Sequence, residues 1–172
     1  MCAMCRERLG QVTTDAPDTP ALAALRDAGL EYEVVRTPRA GSAEESAELQ
    51  GIEIHQLVRT IVLRRSEDDY IFVLVPGGRT IDWPKLRAHL NVSRLSLPDK
   101  GEATAATGYE RGAITPFGSR TAWPVIADAS IVGLPRVAIG GGAHGVNLHV
   151  AADDLISYLD ADVTDVTKPA AN

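Results

Sequence analysis

Cysteine is scarce in this chain: only Cys2 and Cys5 occur, three positions apart near the N-terminus. A Cys-x-x-Cys pair can form half of a zinc or redox site, but no second pair follows to complete a tetrahedron. His55, His89, His144 and His149 do not show ligand spacing toward one another or toward that pair. The two thiols therefore read as incidental, and neither metal nor cofactor is expected. Long apolar runs are missing as well. Nothing approaches the ~18 consecutive apolar residues of a membrane helix, and residues 1–10 lack the apolar core of a signal peptide. No membrane partner and a cytoplasmic location are the expectations. Positive charge is not in excess either: a net charge of −6 argues against a generic nucleic-acid coat, because Lys and Arg drive phosphate binding. No Ser-His-Asp order and no close carboxylate pair suggests a protein-borne catalytic base.

What remains is an ordinary globular composition, 45% hydrophobic and 23% charged over 172 residues, enough for one domain with a real core. Charge is unevenly spread. Residues 1–50 carry five basic and nine acidic side chains, residues 51–94 seven and five, and residues 95–172 five and nine. The basic middle could meet the end of a nucleic acid, or simply be a solvated mixed surface.

Residues 1–18 are polar and read as a loose leader. Thr19 and Pro20 give the N-cap and first position of a helix that Gly29 stops. A strand is expected over 30–36, and a helix from the Ser42/Glu45 capping pattern to Gly51. The apolar runs 57–63 and 70–75 read as a hairpin closed by the charged segment 64–69. Asp82 and Pro84 open a short helix with Leu86 and Leu90 on one face, and 92–97 reads as a further strand. Strands are expected at 125–127, 136–139 and 146–150, then a closing helix over 152–159 with Asp153 and Asp154 in its first turn. The domain spans 19–160, and 161–172 reads as a tail. Short strands interleaved with helices predict an α/β fold of the α+β type, a mixed and largely antiparallel sheet with flanking helices.

Three segments could carry chemistry. The glycine run 140–145 is followed by a strand pattern rather than a helix, and no Gly-Lys-Ser/Thr is present. It reads as a hairpin connection rather than a phosphate loop, with His144 at its tip. Residues 108–118 hold Gly108, Gly112, Gly118 and Pro116, which imply a rigid irregular backbone. Such a loop can aim N–H groups at an acyl oxygen, or be a tight connection. Arg59 shares a strand face with Leu57, Ile61 and Leu63. A guanidinium there lies in a cleft, or at a sheet edge paired to a carboxylate, since burying it unpaired is costly.

In combination these segments resemble the YbaK family, the insertion-type editing domain of bacterial prolyl-tRNA synthetase. The carriers are Val58-Arg59-Thr60-Ile61-Val62, Ile81-Asp82-Trp83-Pro84-Lys85-Leu86, Thr107-Gly108-Tyr109, Gly112-Ala113-Ile114-Thr115-Pro116, Gly140-Gly141-Gly142 and Val150-Ala151-Ala152-Asp153-Asp154-Leu155. The resemblance runs from Pro20 to about Leu159. It implies a metal-free deacylase that cleaves the ester of mischarged tRNA, in most cases tRNA(Pro) carrying Ala, Cys or another small residue. The tRNA acceptor end, and prolyl-tRNA synthetase, are the implied partners. It also implies a Gly-x-x-x-Pro loop, Gly112 to Pro116, whose backbone contacts the ester, with the substrate's own ribose hydroxyl helping to activate water. On this reading Arg59 and Gly112 are catalytic, while Gly108, Thr115, Pro116, Asn147 and Lys85 bind substrate. Two departures stand out. The family's strand reads Phe-Lys-Thr-Leu, so Arg59 replaces a lysine, and an aromatic residue is replaced near Thr37. Arginine keeps the charge but presents a planar fork, so a non-catalytic aminoacyl-tRNA or amino-acid binding module is the alternative.

Overall fold

Short-range capping signals set most of the helix ends. The computed structural model describes residues 19–170; Cys2, Cys5 and the leader 1–18 lie outside them. Helix α1 (Pro20–Ala28) starts where the Thr19 hydroxyl accepts from the Leu22 N–H at 3.2 Å, and Gly29 ends it in the left-handed conformation. After β1 (Tyr32–Arg36), helix α2 (Ala43–Gln50) is opened by the Glu45 N–H donating to Ser42 Oγ at 3.1 Å. The reciprocal half of the expected capping box shifts by one residue: Glu45 Oε2 accepts from the Gly41 N–H at 2.7 Å.

The hairpin forms as expected, with β2 (Val58–Ser66) antiparallel to β3 (Asp69–Pro76) and a bulge between Arg64 and Ser66. Strand β3 is apolar at every position from Tyr70 to Val75 because both of its faces are covered. Tyr70, Phe72 and Leu74 enter one core with Leu25, Leu148 and Leu155. Ile71, Val73 and Val75 enter a second with Leu63, Ile81 and Leu86.

Beyond β3 come β4 (Arg79–Ile81) and α3 (Trp83–Leu90), whose Asp82 cap accepts from the Lys85 N–H at 3.2 Å. Residues 92–97 do not form the expected strand. They touch β2 at one bridge, Arg64 to Ser96, and the adjacent bulge in β2 stops the register from propagating. Helix α4 (Lys100–Thr107) was not expected; Asp99 caps it by accepting from the Glu102 N–H at 2.8 Å. It is held on the core by the Tyr70 hydroxyl, which donates to Glu102 Oε1 at 2.5 Å, and by Trp123 Nε1 donating to the Ala106 carbonyl at 2.9 Å.

The last strands are β5 (Val125–Asp128), β6 (Val137–Gly140) and β7 (Val146–Val150), followed by α5 (Ala152–Leu159). Residues 141–145 join β6 and β7 as an antiparallel hairpin, with Gly140 opposite Asn147. The tail reading of 161–172 needs amending for the described part. Strand β8 (Asp162–Thr164) pairs with β5, β9 (Thr167–Pro169) pairs with β4, and Val166 between them is fully buried. Three-residue strands are too short to show a period of two, and here the free side of β5 recruits β8 while β4 recruits β9.

Two sheet orders result, β1-β7-β6 and β2-β3-β5-β8, with β4-β9 as a ribbon. Pairings of β1, β6 and β7 are antiparallel, as are β2–β3 and β4–β9, while β3–β5 and β5–β8 are parallel. The α/β architecture with a mixed, largely antiparallel sheet is thus the one expected. A parallel bridge from Leu57 to Ala138 ties the two larger sheets together, and the cleft opens beside that junction.

Candidate functional site

A cleft of about 450 Å³ lies where five segments meet: the loop after β1, the start of α2, the start of β2, residues 112–114, and the β6–β7 turn. Two close backbone approaches shape it. Gly145 has φ +77° and lies so close to the residue after β1 that a Cβ would be 2.5 Å from the Thr37 carbonyl oxygen. That carbonyl belongs to a residue whose own N–H donates to the Gly145 carbonyl at 2.9 Å. Gly112 has φ +94°, and a Cβ there would sit 3.1 Å from His144 Cε1. Only glycine adopts these conformations without strain while leaving the space.

Arg59, Gly112 and Asn147 line this one cleft. Arg59 is exposed on β2, the outer strand of its sheet, and its Nη2 donates to the Arg79 carbonyl rather than to a carboxylate. The Asn147 side-chain amide donates to the Val35 carbonyl at 3.1 Å and to Thr37 Oγ1 at 3.2 Å, fixing the end of β1 against β7. Thr115 and Pro116 are buried in the loop behind Gly112 and are not part of the cleft wall. Gly108 is the left-handed cap of α4, near Arg120. Lys85 sits on α3, where its Nζ pairs with Asp165 Oδ2 at 2.8 Å; neither it nor Gly108 lines the cleft. That pair raises the Lys85 pKa, chiefly through the hydrogen bond to Asp165.

The loop that carries Gly112 is rigid. The Tyr109 hydroxyl donates to the Phe117 carbonyl at 2.6 Å, spanning the loop's base. Burial pushes that phenol up to about 12, so it remains a donor at any working pH. Within the loop the Ala113 N–H already donates to the Glu110 carbonyl at 2.9 Å, which leaves the oxyanion role expected of this turn to its other amides.

Three cleft residues escaped the sequence reading or were undervalued by it. Arg39 adds a second guanidinium from the β1–α2 loop; nothing in a loop sequence marks which way such a side chain faces. Thr60 lines the cleft with its Oγ1 buried and without a hydrogen-bond partner, and Thr115 Oγ1 behind the loop is in the same state. Thr60 stood inside a quoted motif, yet a threonine in an apolar strand reads first as a β-former. His144 lines the cleft and its Nε2 is 3.6 Å from Glu110 Oε2. Among the described residues no carboxylate lines the cleft, and no three His, Cys, Asp or Glu side chains gather as a metal site requires. No helix among them is long and apolar enough to cross a membrane.

Comparison with known proteins converges on this architecture. Residues 37–158 match the aminoacyl-tRNA editing domain family. A proline–tRNA ligase of Thermosipho melanesiensis is 29% identical over 126 residues, which cover 72% of this chain and 22% of the ligase. The chain thus spans about a fifth of the length of that relative. The "Putative Cys-tRNA(Pro)/Cys-tRNA(Cys) deacylase EbsC" of Enterococcus faecalis is 23% identical over 137 residues, covering 80% of this chain and 84% of that protein. A crystal structure described as "a putative trans-editing enzyme for prolyl tRNA synthetase" superposes with a TM-score of 0.82 at 25% identity, covering 89% of this chain and 99% of that one. With the family match extending over most of the described residues and over every segment that walls the cleft, this chain belongs to the aminoacyl-tRNA editing domain family.

Proposed function

We propose that the cleft is the hydrolytic site of a trans-editing deacylase that cleaves the ester of mischarged tRNA, with tRNA(Pro) carrying Ala, Cys or another small amino acid as substrate. The observation that carries this reading is the meeting of Arg59, Thr60 and the Gly112 turn in one cleft that no carboxylate lines. The cations suit the terminal phosphates and ribose. The turn and the unpartnered Thr60 hydroxyl suit the ester, because a buried polar group gains most when a ligand supplies its missing bond.

In the reaction, water attacks the ester carbonyl, its oxygen bonds to that carbon, and the bond from the carbon to the ribose oxygen breaks. The ribose oxygen leaves with a proton. Amides of the Gly112 turn stabilise the developing oxyanion. The adjacent ribose hydroxyl accepts a proton from the attacking water as it passes its own to the leaving ribose oxygen. The His144 imidazole, which lines the same cleft, is the side chain able to carry that proton between them. Discrimination follows from cleft volume, at ~1–3 kcal/mol per methylene, so smaller errors enter where a larger correct residue does not. An association with prolyl-tRNA synthetase belongs to the same reading, supported by the ligases that carry this domain. The test is a panel of Ala-, Cys-, Ser- and Pro-tRNA(Pro) incubated with purified protein. Faster ester loss from at least one small-residue substrate than from Pro-tRNA(Pro) is expected, and buffer-level loss from all four would refute it.

The second reading, a binding module without catalysis, is favoured by one feature: the Arg59 head group is held on the Arg79 carbonyl. Arg59→Lys separates the two. A large gain in hydrolysis marks the natural protein as a binder, and an equal or lower rate marks the arginine as functional.

A further inference from the structure

At the other end of β2 from the cleft, Arg64, Arg65, Arg87 and Arg94 surround a second concave surface of about 670 Å³, with three serines between them. Arg64 and Arg65 come from the bulged end of β2, Arg87 from the last turn of α3, and Arg94 from the segment after it. Two of the four are partly neutralised: Arg64 lies 3.5 Å from Glu102 Oε1, and Arg65 pairs with Asp69 at 2.8 Å. Among the described residues no carboxylate lines this surface, and none pairs with Arg87 or Arg94. A chain of net charge −6 therefore concentrates unneutralised guanidinium groups in one concave place. Such a fork geometry, flanked by hydroxyl donors, matches phosphate oxygens.

The spacing along β2 fits one stretch of phosphates. Arg65 lies six positions beyond Arg59 at the cleft, a span of about 20 Å at ~3.3 Å per residue. In a tRNA about four unpaired nucleotides join the aminoacyl ester to the first base pair. At ~3.4 Å per stacked nucleotide, and roughly twice that when extended, they bridge about 14 to 27 Å. We infer that the Arg64–Arg65–Arg87–Arg94 surface docks the phosphate backbone of the acceptor stem, while the single-stranded end lies along β2 and delivers the ester to the cleft. This rests on the reading of the cleft as an aminoacyl-tRNA site. Arg87 and Arg94 bind phosphates and take no part in the chemistry.

The experiment compares the natural protein with an Arg87→Ala/Arg94→Ala double variant. Binding of uncharged tRNA is followed by fluorescence anisotropy over a range of salt concentrations. A tetranucleotide ending in CCA, followed by NMR titration, reports on the cleft alone. The variant is expected to bind tRNA about 10-fold more weakly, with the slope of log K against log salt shallower by about 1.5, two lost contacts at ~0.7–0.9 each. Tetranucleotide binding and the melting curve stay as in the natural protein, and Arg87→Lys/Arg94→Lys restores most of the tRNA affinity. Unchanged tRNA affinity in the alanine variant would overturn the inference. So would an equal loss for the tetranucleotide, or a loss confined to vesicles of phosphatidylserine, which would assign the surface to a membrane. Because the tRNA is uncharged, a failure of ester hydrolysis leaves this readout intact, and the two ideas fail separately.

Discussion

Thr60 carries the clearest tension between stability and use. Its hydroxyl is buried beside the cleft with no protein partner, a state that costs folding free energy until a group from outside the protein supplies the bond. Thr60→Val keeps the shape and removes the unpaired oxygen. The variant is expected to be more stable by about 1 kcal/mol, read as a raised midpoint in urea, and to hydrolyse its substrate at least about 10-fold more slowly. Arg59 makes the second residue-scale prediction. An exposed guanidinium resting on a backbone carbonyl is free to exchange that carbonyl for phosphate, so Arg59→Lys is expected to lower kcat/KM by about 3- to 10-fold through loss of the fork, with no change in melting temperature. At this scale the sequence was informative where a motif singled out the residue, as for Arg59 and Gly112, and where Asn147 follows the glycine turn on a strand. It was silent on Arg39 and gave Thr60 no role although Thr60 lies inside a motif, because facing the cleft depends on how β1 and β2 are set against each other rather than on either residue's neighbours in the chain.

Among the elements, the β6–β7 hairpin and the end of β1 are joined by backbone contact too close for any side chain. Gly145→Ala places a Cβ 2.5 Å from the Thr37 oxygen at a φ of +77°, so a loss of about 2–3 kcal/mol is expected. The thermal midpoint would then drop by several degrees, with activity falling further because both partners wall the cleft. The same contrast between local and distant causes decides which elements were legible. α1, α2 and α3 announce themselves through Thr19, Ser42 and Asp82, each of which accepts a backbone N–H in the first turn. α4 carries the same signature in Asp99 and Glu102, but its Gly, Ala and Thr content gives a weak apolar stripe and hid it. Strands β4, β8 and β9 have three residues each and owe their existence to partners far away in sequence. Residues 92–97 show the converse, a strand-like composition left with one bridge because the facing strand is bulged.

Across the whole molecule, the C-terminal strands are locked by one buried carboxylate. Asp128 is 2% exposed, and its Oδ1 accepts the N–H groups of Val166 and Thr167 at 3.1 Å each. Its Oδ2 accepts from the Ser130 N–H at 3.1 Å and from the Ser130 hydroxyl. Burial alone would push the carboxyl up; the bonds from Ser130, Val166 and Thr167 outweigh it and hold the pKa below the ordinary value. A depressed carboxyl gives stability that is fully present above the unfolded value, near ~4, and is lost as pH falls through the lower folded value. Asp128→Asn is therefore expected to cost about 2 kcal/mol at pH 7, and the gap between the two proteins should narrow in melts taken progressively below pH 4. A gap independent of pH would contradict this. The overall charge was the least informative sequence quantity, since a sum of −6 conceals cations gathered at both ends of β2. Most direct of all for the account as a whole is single-turnover hydrolysis of Ala-tRNA(Pro), measured side by side for the natural protein and Gly112→Val, which fills the cleft at the turn. The account predicts clear acceleration over buffer by the natural protein and at least about a 10-fold slower rate for the variant; no acceleration, or an unchanged rate with the cleft blocked, would contradict it.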